Sequence, residues 1–214
     1  MRALVTGAEG DLGQAVAESL RVAGVEVLAP GRIQLDVTSA DSVKSFISEA
    51  GELELLVCNA GVLADRTLSK MSEQDWDHVL DVNLKGAFLC AREVARGMVK
   101  RRSGHIIFVS SFSALHPPIG QVNYSSAKSA LLGMMKSMAQ ELGGRNVRVN
   151  AVVPGFMETR MTSGLSSDVK AAILGRHVLG RFNTTGEAAG FITHMHLHMP
   201  HTSGQVFNLD SRIV

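Results

Sequence analysis

A tyrosine and a lysine four positions apart, Tyr124 and Lys128 in Tyr-Ser-Ser-Ala-Lys, are the residues of this chain best suited to chemistry. Four residues is about one turn of an α-helix, so the two side chains would share one face. A free tyrosine has a pKa of about 10, and an ammonium group beside it stabilises the phenolate and lowers that pKa. The pair is therefore a candidate general acid or base. An isolated pair of this kind is more often a surface tyrosine beside a solvated lysine, so other features must decide.

A glycine-rich turn near the start of the chain, Thr6-Gly7-Ala8-Glu9-Gly10-Asp11-Leu12-Gly13, joins an apolar segment to a helical pattern. Glycines in such a turn let the backbone approach a pyrophosphate, and the N-terminus of the following helix supplies free N–H groups. The turn alone is equally compatible with a β–α connection that binds nothing. Its place after the first predicted strand and before a helix favours dinucleotide binding.

Strand-like and helix-like segments alternate along the chain. Short apolar or β-branched runs predict strands at Arg2–Thr6, Val25–Ala29, Leu53–Asn59, His105–Ser110, Val147–Val153 and Gln205–Leu209, with a shorter one at Ile33–Leu35. Helical spacing predicts helices at Leu12–Val22, Ser42–Ala50, Ser72–Arg101, Val122–Leu142 and Thr185–Met199. This alternation is typical of an α/β fold, and we expect a single Rossmann-type domain over 1–214 with a doubly wound parallel sheet of about seven strands. Pro30–Arg32 is too short for a full crossover, so one crossover helix should be shortened to a turn.

The composition excludes several classes of protein. The 214 residues are 45% hydrophobic with a formal net charge of +1, so we expect a folded chain without an electrostatic footprint for nucleic acid. No apolar run reaches the roughly eighteen residues of a membrane span, and no signal-peptide pattern precedes the first strand. Cys58 and Cys90 lie in apolar segments and are expected to be buried thiols in a reducing compartment, the cytoplasm by default.

Several short motifs occur together and in order: Thr6-Gly7 with Gly13, then Asn59-Ala60-Gly61, then Asn83, Ser111, Tyr124 and Lys128, and finally Pro154-Gly155 with Thr159. In these the chain resembles the short-chain dehydrogenase/reductase family over nearly its whole length. Within that family, Gly120–Lys128 and Pro154–Thr162 are similar to the 3-oxoacyl-(acyl-carrier-protein) reductases of bacterial fatty-acid synthesis.

The resemblance implies a role for each catalytic residue. Tyr124 would give a proton to the developing alkoxide, while Lys128 would tune Tyr124 and bind the nicotinamide ribose. Ser111 would hold the substrate oxygen; Ser110 is its rival, but the spacing to Tyr124 favours Ser111. Asn83 would anchor a water that supplies protons to Lys128, and its alternative is an ordinary buried asparagine bonded to backbone.

The resemblance also implies a nicotinamide cofactor and its site. The residues assigned to that site are Thr6, Gly7, Gly10, Asp11, Leu12, Gly13, Asn59, Ala60, Gly61, Pro154, Gly155 and Thr159, together with Tyr124 and Lys128. Asp36-Val37 resembles the family's adenine-contacting pair.

Cofactor preference depends on the end of the second predicted strand. Rossmann folds that prefer NAD place Asp or Glu there, whereas Leu28-Ala29-Pro30-Gly31-Arg32 contains no acid. Arg32 could meet a 2′-phosphate with a forked contact, and its alternative is a solvated turn arginine. We therefore expect NADP(H) to be favoured over NAD(H).

Three departures from the family pattern carry further expectations. Asp11 replaces the middle glycine of the cofactor turn, and Gly10 stands where related reductases often carry a basic residue. Ser211-Arg212 replaces a Gly-Gly pair, which puts the subunit contacts usually made there in doubt. The 161–178 segment is brief for a lid, so the site should be open and suited to a carrier-tethered or bulky substrate.

Four histidines near the C-terminus invite a metal hypothesis. On a helix His194 and His198 share a face, but His196 does not, and His201 follows after the predicted helix. No nearby acid or cysteine completes a ligand set, so we expect packing or surface histidines and no metal.

The leading function hypothesis is an NADP(H)-dependent carbonyl reductase acting on a 3-oxoacyl thioester. One alternative is a family member acting on another secondary alcohol or ketone, and another is a non-catalytic NADP(H)-binding redox sensor. The resemblance also suggests a homo-oligomer, a tetramer or dimer, in which Ser72–Arg101 and Val122–Leu142 pair across subunits.

Overall fold

The computed structural model describes residues 1–213, which form one parallel sheet with helices on both faces. Within that range the strands are β1 (Arg2–Val5), β2 (Glu26–Leu28), β3 (Leu55–Cys58), β4 (Gly104–Val109), β5 (Val147–Val153) and β6 (Val206–Asn208). Their order is β2-β1-β3-β4-β5-β6, and every pairing is parallel. The α-helices are α1 (Asp11–Val22), α2 (Ala40–Ala50), α3 (Glu73–Leu80), α4 (Gly86–Arg101), α5 (Val122–Gly143), α6 (Ser167–Leu174) and α7 (Thr185–His198). The predicted α/β fold is confirmed.

Alternate residues of the central strands enter two different cores. Leu56 and Ile106 belong to the cluster under α2, α4 and α5, whereas Leu55 and Ile107 belong to the cluster under α1 and α7. Neighbouring side chains of a strand point to opposite faces, so a sheet covered on both sides needs continuous apolar strands. The two clusters confirm the doubly wound architecture.

The predicted strand at Ile33–Leu35 is wrong, and the described sheet has six strands instead of about seven. The segment is a turn in which the N–H groups of Gln34 and Leu35 both bond to the carbonyl of Gly31, and Ile33 is fully exposed. A parallel strand needs a long crossover to reach its place, and Pro30–Arg32 cannot supply one. Both the crossover helix and its strand are therefore absent, and β2 forms the edge of the sheet.

The predicted helix Ser72–Arg101 is continuous but contains a π-helical turn. Ser72 caps α3 reciprocally with Asp75, and the turn Asp81–Lys85 then leads directly into α4. Single π-turns insert an extra residue and often lie at functional sites. Here the turn holds Asn83, which is almost fully buried.

The two cysteines of the chain, Cys58 and Cys90, are buried and free, as predicted. Among residues 1–213 no helix has the length and apolar character needed to cross a bilayer. Helix α6, within the 161–178 segment, was not predicted because its periodic pattern is short.

Candidate active site

The glycine turn is built on a hydrogen-bond network between the ends of β1 and β3. The Thr6 hydroxyl accepts the N–H groups of Asn59 and Ala60, each at 3.1 Å. In return, the Asn59 side-chain amide donates to the carbonyls of Thr6 and Gly7, each at 3.1 Å. The turn is thus held in one conformation by buried contacts, with α1 starting directly after it.

Two glycines of this turn have no room for a side chain. Gly7 has a φ of +64°, and a Cβ there would lie 2.6 Å from the Ala60 Cα. A Cβ on Gly13 would lie 2.4 Å from the Gly7 carbonyl oxygen. Gly10 precedes α1 as its N-cap, and Leu12 packs on the core under α1. A tight turn that brings backbone N–H groups to a helix N-terminus fits the pyrophosphate of a dinucleotide.

Tyr124 lies in the first turn of α5, and the side chain of the preceding residue, Asn123, holds this turn in place. The buried Asn123 side chain accepts the Tyr124 N–H at 2.8 Å and donates to the carbonyls of Ala64 and Asp75. The start of α5 is therefore bonded to α3 and to the loop after β3. Sequence reasoning gave Asn123 no role, although its place beside Tyr124 was a signal that could have found it.

The expectation that Lys128 lowers the pKa of Tyr124 is not met in the free protein. Burial raises the pKa of Tyr124 to about 12, and only a hydrogen bond with the Ser111 hydroxyl acts in the lowering direction. The Lys128 Nζ lies 5.6 Å from the centre of the tyrosine ring and donates instead to the Val109 carbonyl at 2.9 Å. Desolvation of the phenolate therefore outweighs the field of the ammonium group.

Lys128 lies one turn further along α5 and is buried, with 3% of its surface exposed. Burial lowers the pKa of Lys128 to about 8, because the ammonium loses hydration there. The group is thus mostly charged at pH 7 and close to its titration range. A buried cation beside a buried phenol can stabilise negative charge that develops on the phenol.

Asn83 turns its side chain towards the loop after β3. Its Oδ1 accepts the Val62 N–H and its Nδ2 donates to the Val62 carbonyl, both at 2.9 Å. A Cβ on Gly61 would lie 2.8 Å from the Asn83 Oδ1 and 3.6 Å from the Lys128 Nζ. Asn83 and Lys128 therefore face the same glycine, with the Asn-Ala-Gly loop between the cofactor turn and α5.

The two neighbouring serines after β4 point in different directions. The Ser110 hydroxyl is buried and donates to the Lys128 carbonyl at 2.9 Å, so it fastens β4 to α5. Ser111 is half-buried, accepts the Ser113 N–H at 3.2 Å and reaches the Tyr124 hydroxyl. Ser111 is thus the serine that shares a site with Tyr124.

The segment after β5 is held from the C-terminal end of the chain. The buried Asp210 carboxylate accepts the Phe156 N–H at 3.1 Å, and Gly155, with a φ of +84°, packs against Asp210. Thr159 follows in the same loop, where its N–H donates to the Thr162 hydroxyl. The sequence analysis assigned no structural role to Asp210. An acidic residue within an apolar C-terminal segment could have indicated a buried carboxylate with backbone partners.

Arg212 belongs to the Ser211-Arg212 pair that replaces two family glycines, and it folds inward. Its guanidinium forms a forked ion pair with Asp210 at 2.6 and 2.8 Å and lies 3.6 Å above the centre of the Phe112 ring. Phe112 directly follows Ser111 in the chain. The C-terminal segment therefore connects the loop after β5 to the loop that carries Ser111.

The turn after β2 brings an unexpected acid beside Arg32. The Glu9 carboxylate accepts the Arg32 N–H at 3.2 Å and lies against Gly31. Both side chains are exposed, so no strong ion pair forms between them. Glu9 was missed because the usual pattern places the acid on β2 and not in the glycine turn.

Asp36 and Val37 lie between this turn and α2. The Asp36 carboxylate accepts the Thr38 hydroxyl and N–H, and these bonds hold the pKa of Asp36 below its usual value. Val37 packs on Gly86 at the start of α4.

The four C-terminal histidines do not converge. His194 and His198 are exposed, with their rings tilted against each other, whereas His196 is buried and stacks on His105 on the other side of α7. Among residues 1–213 no group of three or more His, Cys, Asp or Glu side chains is arranged to hold a metal ion.

The fold and the site together indicate a nucleotide-dependent oxidoreductase. The sheet is parallel, a glycine turn follows β1, and a buried Tyr–Lys pair lies beside a serine. The sequence profile of the short chain dehydrogenase family matches residues 31–170. The chain belongs to the short-chain dehydrogenase/reductase family. It is accordingly an oxidoreductase that acts on carbonyl or hydroxyl groups with a nicotinamide cofactor.

Curated relatives cover most of the chain. It is 36% identical to the 3-oxoacyl-[acyl-carrier-protein] reductase FabG of Thermotoga maritima over 99% of this chain and 96% of that protein. The enzyme of the same name from Escherichia coli K12 is 36% identical over 89% of this chain and 87% of its own length. A Staphylococcus epidermidis FabG is 40% identical over 85% of this chain and 75% of its own length.

Proposed function

We propose that this protein is an NADP(H)-dependent carbonyl reductase that converts a 3-oxoacyl thioester to the 3-hydroxyacyl product, with Tyr124 as the acid. The observation that carries the proposal is the buried Tyr124–Lys128 pair, whose Lys128 Nζ lies 5.6 Å from the centre of the Tyr124 ring. The Ser111 hydroxyl is near enough to lower the pKa of Tyr124, and Asn83 and Lys128 both face Gly61. The two free thiols fit a reducing compartment, and we propose the cytoplasm.

The chemistry divides between cofactor and protein. A reduced nicotinamide supplies the hydride when bound. Tyr124 is protonated at neutral pH, since burial raises further a tyrosine pKa that is ordinarily already about 10, and it donates its hydroxyl proton to the substrate oxygen. The Ser111 hydroxyl holds that oxygen as negative charge develops on it. The Lys128 ammonium then stabilises the Tyr124 phenolate, since both groups are buried in one low-dielectric region.

The cofactor site would use the residues of the glycine turn and its surroundings. Backbone N–H groups near Gly10 and Leu12 would meet the pyrophosphate at the N-terminus of α1. Lys128 would hold the nicotinamide ribose, and the Pro154-Gly155 loop with Thr159 would hold the nicotinamide ring. The exposed Arg32 guanidinium would meet the 2′-phosphate that distinguishes NADP from NAD.

Glu9, in contrast, favours NAD(H) as the cofactor. Its carboxylate lies beside Arg32 and would repel the 2′-phosphate of NADP(H). The catalytic efficiency with NADPH and with NADH decides between them. A higher value with NADPH supports the Arg32 assignment, and a strong preference for NADH refutes it.

The thioester substrate is supported by the relatives and by the open side of the site. The 161–178 segment carries one short helix, α6, and leaves Met161, Leu165 and Val169 exposed where a bulky acyl carrier could approach. The decisive assay is NADPH oxidation with an acetoacetyl thioester against a panel of small ketones. Better turnover of the thioester supports the proposal, whereas equal or better turnover of free ketones favours a different carbonyl substrate.

A redox sensor would behave differently in the same assay. It would bind the dinucleotide in a titration and turn over none of a broad panel of carbonyl compounds. That outcome would refute the proposal of a reductase.

A homo-oligomer is proposed from the faces of α4 and α5. An apolar groove between these helices is lined by Phe88, Val99, Met134 and Met138, and Phe88 is 42% exposed. Pairing of the same two helices from a second copy would cover this face. A monomer in solution scattering would refute the assembly without affecting the proposed chemistry.

A further inference from the structure

The aspartate that interrupts the glycine pattern is held by an arginine from the other side of the cofactor cleft. Asp11 accepts the backbone N–H of Arg160 at 2.6 Å and the Arg160 Nε at 2.7 Å. The Arg160 Nη2 also donates to the Glu9 carbonyl. These contacts join residues 149 positions apart, the glycine turn and the loop that follows Pro154-Gly155.

The charge of Asp11 needs a partner at this place. A carboxylate in the first turn of a helix is favourable by itself, but it would repel a pyrophosphate bound at the same N-terminus. Arg160 neutralises that charge, and its two hydrogen bonds to Asp11 hold the pKa of that carboxyl below its usual value. Glycine at this position would need no such compensation.

Arg160 keeps binding capacity after these contacts are made. Within residues 1–213, Asp11 and Glu9 engage its Nε and Nη2, while its Nη1 makes no hydrogen bond. The side chain is 68% exposed, and Asp11 is 28% exposed. A guanidinium fixed over the glycine turn with one nitrogen still available suits the oxygens of a phosphate.

We propose that Arg160, positioned by Asp11, contacts the pyrophosphate of the dinucleotide. In this proposal Asp11 holds the Arg160 guanidinium in position, and its replacement of the usual glycine does not prevent cofactor binding. Because Thr159 directly precedes Arg160, the same contact holds the nicotinamide-binding loop against α1. The inference rests on the proposed function only in requiring that the chain binds a nicotinamide dinucleotide.

Titration of the full-length protein with ADP-ribose tests the contact, since this probe carries the pyrophosphate but neither nicotinamide nor a 2′-phosphate. Arg160→Ala should raise the Kd for ADP-ribose about tenfold, the loss typical of a charge-assisted hydrogen bond. Arg160→Lys, which retains the charge but not the fork, should give an intermediate Kd. Arg145→Ala removes an exposed arginine in the turn before β5, at the opposite end of the strands from the glycine turn. It is the matched control and should leave the Kd unchanged.

A double-mutant cycle tests the anchor. In the Asp11→Gly background, Arg160→Ala should raise the Kd for ADP-ribose less than about threefold, since an unanchored arginine contributes less. The Kd of the parent should also rise more steeply with salt than that of Arg160→Ala, because one ionic contact is missing in the variant. An exposed pair of this kind contributes little to the stability of the fold, so all variants should fold.

Three outcomes overturn the inference. An Arg160→Ala protein that binds ADP-ribose like Arg145→Ala, or that loses affinity for NADPH alone, places Arg160 away from the pyrophosphate. An equal loss in both Asp11 backgrounds removes the anchoring role. A parent protein that binds neither ADP-ribose nor NADPH overturns both this inference and the proposed function.

Discussion

The catalytic half and the adenosine half of this site are built in opposite ways. Asn83, Tyr124 and Lys128 are buried. The Asn83 and Lys128 side chains bond to backbone groups of neighbouring elements, and the Tyr124 N–H bonds to the Asn123 side chain. Glu9, Arg32 and Arg160 are exposed and lie in turns, where Glu9 accepts the Arg32 N–H and Arg160 pairs with Asp11, the residue that replaces a family glycine. The proposed chemistry would therefore depend on the core of the fold, while the proposed cofactor recognition would depend on a few surface charges.

Removing the Tyr124 hydroxyl should have the largest effect. Tyr124→Phe is expected to lower kcat about 10³-fold, because the proton donor is lost while the apolar contacts of the ring remain. The Kd for NADPH, measured by nicotinamide fluorescence, should stay within about twofold of the parent, since only the hydroxyl is removed and the other residues assigned to the cofactor site are unchanged. Comparable kcat values in variant and parent would remove Tyr124 from the mechanism.

The second-largest effect is expected when a side chain is added within the cofactor turn. Gly13→Ala puts a Cβ 2.4 Å from the Gly7 carbonyl oxygen, so the backbone of the turn must shift. We expect the Kd for NADPH to rise at least tenfold and the free energy of unfolding to fall by about 1–3 kcal/mol. Gly190→Ala is the control, because a Cβ there would meet nothing within 4 Å and Gly190 lies on the exposed face of α7. Equal dinucleotide affinity in Gly13→Ala and Gly190→Ala would show that the turn does not cradle the cofactor.

The pH dependence of reduction tests the buried lysine. Lys128 has a pKa of about 8, so its charged form predominates below that pH and is lost above it. With saturating substrates, kcat should fall about tenfold between pH 7 and pH 9 as the ammonium loses its proton. Lys128→Arg stays charged across this range and should show a lower but flat profile.

The assignment to Lys128 fails if the same fall persists in Lys128→Arg. Since Tyr124 is the only tyrosine of the chain, its ionisation can be followed separately by ultraviolet absorption. Its transition in the free protein should lie well above pH 10, because burial raises the pKa of Tyr124 to about 12.

The smallest effects are expected at the adenosine end. Arg32→Ala should reduce the preference for NADPH over NADH by about tenfold or less, because an exposed ionic contact is weakened by solvent. Glu9→Ser should shift the preference by a similar factor in the opposite direction, since it removes the carboxylate beside the 2′-phosphate position. The ratio of catalytic efficiencies with the two cofactors is the measurement. Changes of the same sign in both variants would contradict opposing roles for these charges.

The failed strand prediction shows where local pattern is weakest. Ile33–Leu35 has a β-branched, apolar composition, but the connection before it is too short to bring it to the edge of the sheet. The length of the connection therefore decided the outcome. Leu35 still enters the core from a turn, while Ile33 is exposed. In the same way, the pKa of Tyr124 depends on its burial more than on the lysine four residues away.

Residue types and spacing alone determined the alternating α/β plan, the glycine turn after β1 and the Tyr124–Lys128 pair, because each of these is a local pattern along the chain. Asn83 and Ser111 were assigned by their resemblance to the family motifs. Only the tertiary structure decided the number of strands, the protonation of Tyr124 and the partners of Asp11 and Asp210. Those properties arise from burial and from contacts between distant residues, such as the pairing of Asp11 with Arg160, which no local pattern encodes.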